Sequence, residues 1–373
     1  MAVTNETLST APYLRFFQQR VVRMVTHWRD HDAVQQLEVA YLDREREAIL
    51  KAINLGLDFT PAWPLVKPLI VALTPYMERR GHWDAWEIVL QRARNVAKQE
   101  ADLEAETTFT ALLARLCNRM SKIKDVIYYY RQTIYLARRT GNRFEEARAC
   151  SNLGYFYVDH GHWWRSRILS CHALTIFEAL ENRHGLAHTH NHLGVLYVRQ
   201  RQWAQAEQHL SHACSIWEEL EDGHSLIYGY LNLGLLHIER GVPAQAIPIL
   251  HSDVELIERL GERSLLGNVL NNLSVAYRLT GNYTNAMQLA RQAEAVYRQF
   301  SLGLELAQAQ HNLGLIHLSI GEIELAKELL KAAKQGYLQF NYTAGLAMLA
   351  DDWKALTTID TGGSKDTGGS TND

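Results

Sequence analysis

Five short cassettes recur at a fixed interval of 40 residues: Asn152-Leu153-Gly154, His192-Leu193-Gly194, Asn232-Leu233-Gly234, Asn272-Leu273-Ser274 and Asn312-Leu313-Gly314. This regularity constrains the fold more than any other feature. A period of this size marks units that each bury one face only by stacking on a like neighbour. Seven residues after each small residue stands Gly161, Arg201, Gly241, Gly281 or Gly321, and two further on Trp163, Trp203, Pro243, Tyr283 or Ile323. Twelve after it comes Ser166, Ala206, Ala246, Ala286 or Ala326. The frame extends backwards to Gly81, Trp83, Leu90 and Ala93, with Ala114 and Ser121 at the glycine positions of the intervening unit.

Each period reads as two helices. Over Glu146 to Asp159, the residues Cys150, Leu153, Gly154 and Tyr157 fall on one face at helical spacing. Gly161 suits the left-handed conformation that ends a helix. Gly154, Ala206 and Ala286 let paired helices approach closely. Seven pairs are expected, beginning near Pro64, Glu104, Glu145, Gly185, Ser225, Leu265 and Glu305, with a closing helix from Ala344 to Thr357. Pro248 should kink its helix. Asp253 stands where a small residue is expected, so that unit is the least regular.

These residues resemble the tetratricopeptide repeat family, and the 40-residue period is similar to its long-hairpin subclass in kinesin light chains, spindle-orientation adaptors and bacterial peptide-sensing regulators. The resemblance covers about residues 64 to 340. It implies an all-α, right-handed α-solenoid of about seven hairpins. The expected organisation is an N-terminal helical segment over 1–60, the solenoid over 61–343, a capping helix over 344–358 and a disordered tail over 359–373.

Upstream of the repeats, Pro12 to Arg29 and Ala33 to Leu55 read as helices out of phase with the frame. Pro61, Pro64, Pro68 and Pro75 cluster at the entry to the first pair. Leu42-Asp43-Arg44-Glu45, Ile49 and Leu50, then Arg80-Gly81-His82-Trp83, are similar to the region that joins the nucleotide switch to the repeats in STAND-type signalling NTPases. In those proteins the repeats act as sensor. The chain departs from them in lacking a GxxxxGK[ST] phosphate loop.

Composition narrows the function. Lys and Arg number 38 against 41 Asp and Glu, a balance of −3 that argues against nucleic acid as a partner. No apolar run reaches the ~18 residues that span a bilayer, and Met1 to Pro12 lacks the order of a signal peptide. Cys117, Cys150, Cys171 and Cys214 form no CxxC pair, which fits reduced thiols in a cytoplasmic protein. No nucleophile elbow, HExxH or paired-carboxylate motif is present, so neither an enzyme nor a cofactor protein is expected.

Among 17 histidines, His188 and His192 lie one turn apart with His190 on the adjacent face, a spacing that can share a metal. They also occupy lining positions held elsewhere by other residue types, which is the simpler reading. His27 and His31 have the same spacing. His237 and His317 stand at core positions, and Trp83, Trp163 and Trp203 are expected to pack between hairpins.

The candidate binding row lies opposite the buried face of each first helix. It runs Arg148 and Asn152 (with Tyr155 and Asp159), then His188 and His192, Tyr228 and Asn232, Asn268 and Asn272, Gln308 and Asn312. An Asn amide both donates and accepts, so Asn152, Asn232, Asn272 and Asn312 could pair with the backbone of a bound peptide. The family resemblance implies that use. Asn at this position could equally bond to a neighbouring helix within the array. The expected function is a scaffold that binds a protein or peptide ligand in a concave groove. The alternative is a ligand-sensing module of a STAND-type NTPase, with a nucleotide-switch signalling protein as partner in cis or in trans.

Overall fold

The computed structural model describes residues 12–300 and 302–362, and all regular structure among them is helical. Two compact units divide the chain at Glu181 and Asn182.

The first unit opens with α1 (Pro12–Asp30), the single turn α2 (Asp32–Gln35) and α3 (Val39–Leu57). The helix expected from Ala33 to Leu55 is therefore broken. His31 caps α2 through Nδ1, which accepts from the Ala33 amide at 3.1 Å. Leu37 then adopts φ 53°, and the Glu38 amide folds back onto the Ala33 carbonyl at 2.9 Å. Three hairpins follow: α4 (Trp63–Arg79) with α5 (Trp83–Gln99), α6 (Leu103–Arg119) with α7 (Ile123–Thr140), and α8 (Arg143–Asp159) with α9 (Trp163–Ala179). Helices α1 and α3 cover the open side of α4. Val25, Ile53, Val66 and Leu69 are fully buried in their common core.

The second unit holds four hairpins: α10 (Arg183–Arg199) with α11 (Trp203–Glu219), α12 (Gly223–Glu239) with α13 (Pro243–Leu260), α14 (Arg263–Leu279) with α15 (Tyr283–Gln299), and α16 (Gly303–Ser319) with α17 (Ile323–Gln339). It closes with α18 (Thr343–Gly362). Every hairpin begins within two residues of its expected start. The final helix extends to Gly362, beyond the expected Thr357, and the tail from residue 363 lies outside the described residues.

Small residues set the distance within each pair. A Cβ on Gly154 would stand 2.7 Å from the Ser170 hydroxyl and 3.2 Å from the Ser166 carbonyl. Gly194, Gly234 and Gly314 are pressed in the same way against Leu210, Leu250 and Leu330. At the fourth cassette Ser274 fits because its hydroxyl donates to the Ala286 carbonyl at 2.7 Å. Helix α13 runs unbroken through Pro248. His237 and His317 are buried, as their positions suggest. Trp83 and Trp203 are half-buried against the cores, but Trp163 is 41% exposed.

Candidate functional site

In the second unit each first helix touches the next first helix as well as its own partner, so α10, α12, α14 and α16 form one layer and the second helices form the other. The residues opposite the buried face therefore share a single layer. Which of them face a ligand depends on what stands across from each.

His188 is half-buried with its ring 5.1 Å from Trp217, and its Nε2 lies 3.4 Å from the Ser225 hydroxyl. Burial, with help from nearby His184, pushes its pKa down to about 4. It is a neutral imidazole near pH 7. His190 turns the other way. Its Nδ1 stands 2.7 Å from Nδ1 of His209, and burial lowers its pKa to about 4 as well. The structure thus parts His188 from His190. Among the described residues no three His, Cys, Asp or Glu side chains gather in a metal-holding group. In the first unit His31 is taken up by its cap and by the Tyr41 hydroxyl, 3.1 Å from Nε2.

The asparagine positions divide. Asn232 donates through Nδ2 to Oδ1 of Asn191 at 2.9 Å. Asn312 is only 5% exposed; its Nδ2 donates to the Ser274 hydroxyl at 2.9 Å and toward Asn271 at 3.4 Å, and its Oδ1 accepts from Arg278. Those two amides tie successive first helices together. Asn268 accepts from the Tyr297 hydroxyl at 2.9 Å. Asn272, Gln308 and His192 are half-buried on the same layer, and Tyr228 is 47% exposed. In the first unit Arg148 pairs with Glu145 at 2.8 Å, and with Asn152 it lines a small cleft of about 60 Å³ that includes Arg115 and Tyr130. Tyr155 is half-buried and Asp159 exposed.

Two features, one in each unit, were missed from sequence. Asn191 and Asn271 each stand 41 residues before the asparagine they meet, one repeat plus one residue, and that recurrence was the available signal. At the row positions of the first two hairpins stand Pro68, Ala72 and Thr108, which with Val71 and Phe109 line a cavity of about 540 Å³. No polar motif advertised it.

Consecutive helix hairpins, with first helices in mutual contact in the second unit, define an all-α solenoid class. Models of the tetratricopeptide repeat match residues 186–224, 225–299 and 307–335, and this stretch is built of tetratricopeptide repeats. No curated protein sequence matches the chain. Among solved structures it is similar to a STAND protein with a tetratricopeptide repeat sensor from Pyrococcus horikoshii, with 16% identity and a TM-score of 0.56 over 75% of this chain and 41% of that one. The chain thus spans less than half the length of that protein. It is also similar to a Rap protein complexed with competence and sporulation factor, with 14% identity and a TM-score of 0.58 over 80% of each chain. Aspartyl phosphate phosphatase F from Bacillus subtilis is similar over 95% of this chain and 96% of that one, at 11% identity and a TM-score of 0.54. At such identities the likeness is one of fold.

Proposed function

We propose that the chain is a non-catalytic, cytoplasmic scaffold that binds a polypeptide segment along its layer of first helices. The observation that carries this reading is Asn272. Its amide stays half-buried on that layer without a hydrogen bond to the chain, while the equivalent Asn312 is bonded and buried. Such an amide can meet a peptide N–H and C=O together. Tyr228, one repeat away on the same layer, offers an exposed ring to a side chain. In the second unit His188, His192, Asn232, Asn268 and Gln308 complete the proposed row; Arg148 and Asn152 stand at the equivalent repeat positions of the first unit.

Peptides selected from a random display library on the full chain test the reading. Asn272→Ala and Tyr228→Ala should each weaken the selected peptides about 2- to 10-fold at unchanged melting temperature, the worth of one neutral hydrogen bond or a comparable contact. Asn312→Ala should instead lower the melting temperature, because it orphans buried partners. Selected peptides that bind both surface variants as they bind the parent would sink the proposal.

A second reading has its own observation. The two segments that resemble a switch-to-sensor junction meet in the structure. Asp43 accepts from the Tyr76 hydroxyl at 2.8 Å and pairs with Arg80 at 2.9 Å, and Arg46 lies 2.8 Å from His82. That contact fits a regulatory module of a nucleotide-switch protein, which copurification with an NTPase encoded beside it would reveal.

A further inference from the structure

The second helices of the first unit carry an outward face unlike their counterparts in the second unit. Along α7 the exposed residues Lys124, Tyr128, Arg131, Tyr135 and Arg139 follow one another at steps of four and three. Steps of that size keep all five on one face of the helix. The rings are widely open, with Tyr128 49% and Tyr135 55% exposed. The repeat position of Tyr128 is held by Ile88 in α5 and Ile168 in α9, 59% and 55% exposed, and Trp164 on α9 is 62% exposed. In the second unit the same position carries Gln208, Pro248, Gln288 and Glu328, and that of Tyr135 carries Ser215, Glu255, Ala295 and Gln335. The fold therefore does not require apolar groups here.

Charge points to the occupant. Helices α7 and α9 together hold six Lys and Arg against two Asp and Glu. Residues 182–373 hold 14 against 20. Arg138 of α7 and His172 of α9 both reach Glu146, at 2.7 and 2.9 Å, which holds the two helices side by side. We propose that the outer face of α7 and α9 docks an acidic amphipathic helix, its apolar ridge on Tyr128, Tyr135, Ile168 and Trp164 and its carboxylates on Lys124, Arg131, Arg139 and Arg167. A straight ladder of alternating cation and ring suits a rod lying along α7. A stacked nucleic acid fits less well, because a guanidinium stands near one face of each of three rings and competes with a base for it. Arg139 stands 5.6 Å from the Tyr135 ring, Arg165 5.6 Å from Trp164 and Arg94 6.0 Å from Tyr128.

The test uses a fluorescent peptide of about 20 residues, leucine and isoleucine at heptad a and d positions and glutamate at most others. It is titrated onto the full chain beside a lysine-for-glutamate version and single-stranded oligo(dT). The acidic peptide should bind, and added salt should weaken it. Tyr128→Ser with Tyr135→Ser, and separately Arg131→Glu with Arg139→Glu, should each cost at least about tenfold at unchanged circular dichroism, as expected when two contacts of an interface centre are lost. The proposal falls if the acidic peptide binds no better than the lysine version, if either double variant binds like the parent, or if oligo(dT) is preferred.

Discussion

Asp253 is the residue least at home in its surroundings. It is fully buried on α13 and neither carboxyl oxygen has a partner. The equivalent positions hold Ala173, Ala213, Ala293 and Ala333. Burial raises its pKa to about 8, so at pH 7 it is mostly the neutral acid. The unfolded chain loses this proton near pH ~4, whereas the folded chain keeps it until about pH 8. Between those values the unfolded state binds fewer protons, so stability falls as pH rises through that window. Asp253→Ala should therefore stabilise at every pH. The gain should be roughly 1–3 kcal/mol near pH 4, from relief of unsatisfied polar atoms. By pH 8 it should grow by a further ~5 kcal/mol. Urea unfolding of both proteins at the two pH values measures this, and a gain independent of pH would show that the carboxyl is solvated in solution. The asparagine row teaches a related lesson. One residue type at one repeat position serves the array at Asn312 and leaves its amide open at Asn272, because the facing residues differ.

At the scale of elements, the ends of a stack decide solubility, since an uncovered hairpin exposes core. Helix α18 closes the second unit. Leu349 packs with Ala307, Ala333 and Tyr337, Leu356 with Ala326 and Leu330, and Asp352 lies 2.9 Å from Nε2 of the buried His311. Fully burying one large apolar side chain is worth about 1.5–3 kcal/mol. Ending the chain at Tyr342 uncovers Leu330 and Tyr337 together, and the product should aggregate or associate. Ending it at Gly362 should leave the melting temperature unchanged. Light scattering distinguishes the two truncations, and a monomeric, soluble shorter form would show that α18 is dispensable. The helices α1 and α3 do comparable work on α4, but through a different geometry. Gly56 lets α3 approach until an added Cβ would stand 3.0 Å from both Val25 and Val66.

At the scale of the whole molecule, stability should follow coupling between neighbouring hairpins. Removing residues 263–302, one full period that comprises α14 and α15, joins α13 to α16 in register and should leave a cooperatively folding protein. Removing only 263–282 deletes one helix, puts second-helix faces against each other and should unfold the second unit. Similar denaturation midpoints for the two deletions would contradict this coupling. The period, the all-helical class and the starts of seven hairpins were all legible in the sequence. The reason is local: helical spacing fixes which residues share a face, and a residue pressed against its partner, such as Gly154, must be small. The break at Leu37 was hidden because no glycine or proline marks it, and only a backbone turn onto Ala33 ends the helix. The fate of each lining residue also had to wait for tertiary structure. Spacing sets the direction in which Asn232, Asn312, His188 and His190 point along their own helices. Whether each meets solvent, Asn191, Ser274, Trp217 or His209 depends on how closely neighbouring helices approach, and that distance is set by residues far away in the chain.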